Sequence, residues 1–369
     1  MKKLFTSIVL ATLAATTVSA QIADGFYYVK NRKTGRYMSI QDNDKSHYSV
    51  STTGGTAKMA GIRTYTNWSD VCTMPSCIIY IKHISGKQYD FESQGSSLYK
   101  LSGKKLYATL TPQGDGSYIA TGTYDGMTVS LSEWHTSERD ESWLDIKDNS
   151  SKYWIPVPVN TSDNYLGIKP DVKTDDGYYG TIYAGFAFKL ASEGMKAYYV
   201  SEINGSKFVL KEISGIIPAA TPVIIKCASN DPAKNKIEPV KGGKSISGNK
   251  LEGVYCSCTI AGYVNVKQFN PSTMRIIGVS GGKLAFVKAP SDDNLKDGKW
   301  LKGNKAYLAV SSGTADVMTE GTTGITTITT DEVAKEKEGL YTLTGVRVPD
   351  NATPRPGIYI KDGKKVIIK

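Results

Sequence analysis

Beyond its first twenty residues this 369-residue chain has no long apolar run: nothing approaches the roughly 18 consecutive apolar residues that a membrane-crossing helix needs. Histidine is scarce, with three in all, and no His-Glu-x-x-His occurs, which removes the commonest zinc-protease arrangement. No Gly-x-Ser-x-Gly string is present, so a hydrolase built on a nucleophile elbow lacks its turn. Gly243-Lys244-Ser245 ends like a phosphate-binding loop, yet Glu238 stands where the first glycine belongs and no helical pattern follows. It reads as a hairpin turn. Sustained 3.6-residue periodicity is missing too. The one helical candidate, Thr330–Glu338, carries acids early and lysines late but no apolar stripe, so it reads as a linker.

What is present points to strands. There are 36 glycines and 23 tyrosines, and short β-branched and aromatic runs are broken by turn residues every eight to twelve positions. The fold class this predicts is all-β. The net charge of +10 is dispersed: lysines appear singly or in pairs beside glycines, as at Lys104-Lys105 and Lys364-Lys365. A nucleic-acid footprint would cluster them with interleaved aromatics, so no nucleic-acid partner is expected. Weak attraction to acidic glycans or an anionic surface fits better.

The N-terminus gives an address. Lys2 and Lys3 precede an apolar stretch from Leu4 to Ala15 that is too short to span a bilayer, and Val18-Ser19-Ala20 offers small residues for cleavage after Ala20. Residues 1–20 read as a signal peptide and the protein as exported. Residue 21 is Gln, so the lipidated cysteine of a lipoprotein signal is absent. In an oxidising compartment the five cysteines become disulfide candidates. Cys72 and Cys77 flank Met74-Pro75 and suit a local bridge. Cys256 and Cys258, two apart, point to opposite faces of a strand, so Cys227 pairs with at most one of them. The alternative is that these are buried thiols acting as small apolar side chains. Cys-x-Cys is the wrong spacing for a zinc knuckle, and neither metal nor cofactor is expected.

The chain divides into three segments. From 21 to 190, Gly25–Val29 and Thr34–Ser39 form an aromatic strand pair. Looser pairs lie at Ile78–Ile84 with Tyr89–Glu92, Lys104–Thr111 with Ser117–Gly122, and Tyr153–Val159 with Asn164–Ile168. The first pair resembles the opening of ricin-type β-trefoil modules, whose fold has pseudo-threefold symmetry. The Gln-x-Trp triplets of the sugar-binding ricin family are missing. From 191 to 318, strand candidates such as Ala197–Ser201, Phe208–Ile213 and Thr221–Ile225, with prolines at strand entries, suggest a β-sandwich. A linker over 319–338 leads to a C-terminal β-module, 339–369.

The strings GMKAYYVSEI, IPAATPVIIK, GKLAFVKA and NKAYLAV, with GLYTLTGVRV and GIYIKDGKKVIIK after them, resemble secreted and cell-surface proteins of Bacteroides and Prevotella over about Gly194–Lys369. The tail is similar to the C-terminal sorting domain of the type IX secretion system, though shorter. That resemblance implies an outer-membrane surface or extracellular location, with the periplasm as the alternative.

Chemistry is thinly signalled. Glu133, Trp134, His135, Glu138, Asp140, Glu141, Trp143 and Asp145 crowd into thirteen positions. Paired carboxylates beside tryptophans suit glycoside cleavage, but an acidic segment joining two strands is normally a solvated loop with its tryptophans packed beneath. Ligand contact without catalysis is expected at Trp68, Trp134, Trp154 and Glu133. The function read from the sequence is therefore non-enzymatic binding, most simply of a glycan by the N-terminal module. A structural or adhesive role through contacts with a host or cell-surface protein is the alternative, and a glycosidase the third.

Overall fold

The computed structural model describes residues 21–42, 48–52, 55–59, 61–65, 67–93, 96–97, 99–101, 104–105, 107–124, 127–135, 140–145, 151–255, 267–290, 294–320, 327–330, 340–342, 356–361 and 364–368. The signal-peptide reading lies outside them, as do residues 321–326 and 331–338 of the linker read over 319–338. The fold is nearly all β, and among the described residues one short α-helix, α1 (Trp68–Val71), is found.

Six strands close a barrel: β1 (Gly25–Asn31), β2 (Ile78–Ser85), β3 (Gln88–Ser93), β4 (Ala108–Pro112), β5 (Tyr118–Tyr124) and β6 (Tyr153–Pro158). Each pairs antiparallel with the next, and β6 returns to β1 through Asn31↔Trp154 and Tyr27↔Pro158. Every second connection makes an excursion carrying further strands, as in Tyr37–Asp42 with Gly61–Tyr65 and Met127–His135 with Asp140–Asp145. The β2–β3 hairpin forms where local signals placed it. Its tight turn needs Gly86 at φ 53°, a left-handed conformation that glycine adopts without steric cost.

Strand alternation then sorts the apolar residues. In β1, Tyr27 and Val29 face the barrel interior, where Ile79, Ile81, Phe91 and Leu110 also pack. Phe26 and Tyr28 face the other way. With Ile78 and Cys77 they join a second cluster containing Ile182, Phe186, Phe188 and Ile225 from the later half of the chain. The barrel and the later half thus share one core.

The later half is built on an eleven-stranded sheet. Its strands are β7 (Val172–Thr174), β8 (Gly177–Ile182), β9 (Lys196–Asn204), β10 (Lys207–Ser214), β11 (Val223–Cys227), β12 (Leu251–Val254), β13 (Met274–Ser280), β14 (Lys283–Val287), β15 (Lys305–Ala309), β16 (Val317–Thr319) and β17 (Thr327–Thr329). The order is β7-β8-β11-β9-β10-β16-β14-β13-β15-β12, with β17 alongside β10. The pairings of β10 with β16 and β17 are parallel. The sheet curls into a half-barrel, bringing β7 and β8 against β13 and β15. Asp175 N–H donates to Gly282 O at 2.9 Å, and Ala306 N–H to Thr181 Oγ1 at 3.2 Å.

Both faces of the central strands are covered, which explains their unbroken apolar runs. In β9, Ala197 and Tyr199 face the core shared with the barrel, while Tyr198 and Val200 face the inside of the curl. In β11, Ile224 faces inward between Val223 and Ile225. A three-stranded sheet of Leu166–Gly167, Lys236–Val240 and Ala187–Leu190 contributes to the shared core. The expected pairing of Tyr153–Val159 with Asn164–Ile168 does not occur, because β6 closes the barrel while Leu166–Gly167 pairs with Lys236–Ile237. Leu166–Gly167, β8 and Ala187–Leu190 pair with later strands, across the boundary expected at Leu190. The C-terminal strands Leu340–Thr342, Gly357–Lys361 and Lys364–Ile368 form a separate antiparallel sheet.

The local bridge expected between Cys72 and Cys77 does not form. Both are free buried thiols, as is Cys227, while Cys256 and Cys258 lie outside the described residues. Burial pushes the Cys77 and Cys227 thiols up to about 12 and raises Cys72 as well. Because the thiolate is the nucleophile, iodoacetamide at pH 8 should leave these three unlabelled in the native protein and modify them in urea, as read by peptide mass spectrometry. Rapid native labelling of Cys77 would contradict its packing.

Candidate functional site

Three of the four sequence candidates, Trp154, Glu133 and Trp68, resolve into packing roles. Trp154 is 3% exposed inside the barrel, its Nε1–H donating to Leu131 O at 3.0 Å, so it is closed to any ligand. Glu133 is also buried. Its carboxylate accepts a short hydrogen bond from Thr34 Oγ1 and lies 3.6 Å from Arg36 Nη1, which ties the first excursion to the third. A carboxylate so held reaches neither sugar nor water, and the expectation of ligand contact by Glu133 and Trp154 is corrected on that ground.

Trp68 is half-buried, with its ring 5.3 Å from Tyr28, 5.6 Å from Tyr37 and 6.0 Å from Tyr165. Asn67 caps its helix by accepting the Ser69 N–H, and Gly167 N–H donates to Cys72 O at 2.7 Å just past the helix end. Trp68 therefore anchors the junction between barrel and curled sheet. Trp134 lies on the strand Met127–His135 opposite Glu141; its side chain, and that of Trp143, lie outside the described residues.

The helix end leads to a cleft of about 610 Å³ at that junction, within the size range of small-ligand sites. One wall is Thr73–Ser76, just after α1. The other comprises Gly167–Asp171, Thr181 and Ile182 of β8, Tyr255 after β12, Asn294, and the turn Lys302–Lys305 that enters β15. The turn is clamped onto β8: Tyr183 N–H donates to Asn304 O at 2.9 Å, and Asn304 Nδ2–H donates back to Tyr183 O at 2.9 Å. Asn304 holds φ 58°, a left-handed conformation that Asn tolerates better than most residues. Asp171 accepts the Thr181 N–H at 2.8 Å and pairs with Lys305 Nζ at 2.8 Å.

The aromatic element of the cleft is Tyr255, whose ring lies 4.3 Å from that of Tyr183 at 30°. Tyr183 in turn lies flat on Gly253: a Cβ there would come within 2.2 Å of its Cγ, so the close approach requires glycine. Chemically the cleft offers one supported aromatic face, amide and hydroxyl groups, and several lysines. Sequence reasoning missed it because its walls come from stretches up to about 230 positions apart, none a motif. The signal that was there is Lys302-Gly303-Asn304-Lys305, a polar turn ahead of an apolar strand.

Compared with known proteins, the chain matches no family profile and no curated protein. Among the described residues no helix is long and apolar enough to cross a membrane.

Proposed function

We propose that this is an exported, non-enzymatic glycan-binding protein acting at the outer-membrane surface or beyond, and that the glycan seats in the cleft where the barrel meets the curled sheet. The observation that carries this is Tyr255, an aromatic face backed by Tyr183 in a cleft that Asn294, Asn304, Thr181 and Lys302 also line, the mixture of stacking surface and polar groups that sugars use. The N-terminal module is read as a β-trefoil, supported by the strand order of its six-stranded barrel and by an excursion within each successive third. The thirds are uneven, starting at Gly25, Gln88 and Tyr118. The second module is read as sandwich-like, supported by a curled sheet buried on both faces.

Tyr255→Ala should weaken glycan binding about tenfold, the scale of one lost aromatic contact at a site centre, while the far-UV circular dichroism spectrum stays that of the wild type. A glycan array with the full exported chain, and then calorimetry on any hit, reads this. An array blank across host and plant polysaccharides would sink the proposal.

One observation favours the adhesive alternative. In the C-terminal sheet Ile358 and Ile367 sit directly opposite each other and are 48% and 73% exposed, a small apolar face that suits a protein contact. If Ile358→Asp/Ile367→Asp abolished capture of a surface protein partner while leaving glycan binding intact, that role would be separate from the cleft.

A further inference from the structure

The cleft has an apolar annex. A second hollow, of about 20 Å³, shares Thr181 and Lys305 with it and continues between Val254, Ile276, Leu301 and Tyr307. Those four side chains are buried and belong to one apolar cluster. Strand register sets their places: Ile276 of β13 stands opposite Tyr307 of β15, and Val254 of β12 opposite Lys305. The Tyr307 hydroxyl is bonded to Glu252 and Lys267, so the ring is tethered and its polar end is engaged. Thr181 Oγ1 already accepts the Ala306 N–H. The hollow admits a group the size of a water or a methyl and is far too small for a ring. Water is a poor occupant between four apolar walls, because a buried water normally makes about three hydrogen bonds. Val254 directly precedes Tyr255, so the hollow begins one residue from the aromatic face of the cleft.

We infer that the sugar in the cleft carries a methyl group, the acetamido methyl of an N-acetylhexosamine or the C6 methyl of a 6-deoxyhexose, and that this methyl seats in the hollow while the ring lies against Tyr255. The methyl leaves water and gains dispersion contact with the apolar walls. The hydroxyl or hydroxymethyl of the unmodified sugar would instead surrender its hydration to those walls. This inference rests on the glycan-binding reading above and deepens it by naming the substituent that is recognised.

The experiment is calorimetric titration of the full exported chain with matched pairs of sugars: chitotriose against cellotriose, L-fucose against L-galactose, and L-rhamnose against L-mannose. It is repeated with Val254→Ile, which adds one methyl to the wall and fills the hollow, and with Tyr255→Ala. At least one methyl-bearing sugar should bind about tenfold more tightly than its partner, the discrimination that one buried carbon gives in an apolar pocket. Val254→Ile should remove that preference while the partner's affinity and the far-UV circular dichroism spectrum stay unchanged. Preference within the first pair identifies the acetamido group, and preference within either of the others the 6-deoxy methyl. Matched sugars that bind the wild type equally, and are lost in Tyr255→Ala, overturn the methyl inference and leave the glycan reading standing. A preference that Val254→Ile leaves intact also overturns it, by placing the methyl elsewhere. If none of these sugars binds, this inference falls; a blank glycan array besides would take the glycan reading with it.

Discussion

Tyr28→Ala should cost about 4 kcal/mol of stability, the range for deleting a fully buried aromatic side chain. Tyr28 has 0% exposure and stands on the outer face of the barrel, where Trp68 and Tyr37 pack around its ring. Its hydroxyl donates to Tyr165 O at 2.8 Å, across the chain's passage from barrel to curled sheet. Truncation would open a cavity in the one core that both halves share. Tyr28→Phe keeps the ring and loses only that hydrogen bond, so about 1 kcal/mol is expected. The shape of the transition is as informative as its midpoint. Wild-type urea curves monitored by circular dichroism and by tryptophan fluorescence should coincide, because neither half can expose its side of the shared cluster alone. Curves that separate in the wild type, or a Tyr28→Ala loss below about 1 kcal/mol, would show that the halves unfold independently.

Arg275→Met should cost about 3 kcal/mol. Arg275 is 1% exposed, and its guanidinium donates only to backbone carbonyls: Pro271 at 2.7 Å, Met274 at 2.6 Å, Ala315 at 3.2 Å, and Thr314. Replacing a buried ion pair by apolar residues is often neutral, because two desolvation costs disappear together. Here one charge satisfies four neutral acceptors that cannot themselves be removed, so its loss leaves carbonyls buried without donors. Those carbonyls belong to the turn before β13, to the first residue of β13 and to the loop from β15 to β16, and β16 is the parallel partner of β10. Arg275→Lys keeps the charge but not the planar fork and should recover less than half of the loss. A Met variant within about 1 kcal/mol of the wild type in urea unfolding would mean that the loop finds other donors.

The local part of this architecture was open to sequence reasoning. The β2–β3 hairpin spans fewer than twenty residues and carries its own turn glycine, and the alternation of β1 said that Tyr27 and Tyr28 must part company. What they part towards was not legible. Both are buried, because a second module covers the barrel's outer face, and no pattern within β1 distinguishes that face from one meeting water. Glu133 shows the same limit: its partners Thr34 and Arg36 lie 99 and 97 positions away, so an acid in a polar segment gave no sign of being enclosed. Trp154 sits in a strand whose apolar residues lie on both faces, and only closure of β6 on β1 and β5 determines which way the indole points. The pairing of β8 with β11, about 45 residues apart, drew Leu166–Leu190 away from the module to which sequence had assigned them.

The shared core also limits how this chain can be taken apart. A cut between Pro158 and Leu166 would strip Phe26, Tyr28 and Ile78 of their cover on one side and Ile182, Phe186 and Ile225 on the other, leaving two apolar faces prone to aggregate. The C-terminal sheet contributes to none of the four core clusters found among the described residues. Because one cluster is buried between them, barrel and curled sheet are inherited together or not at all.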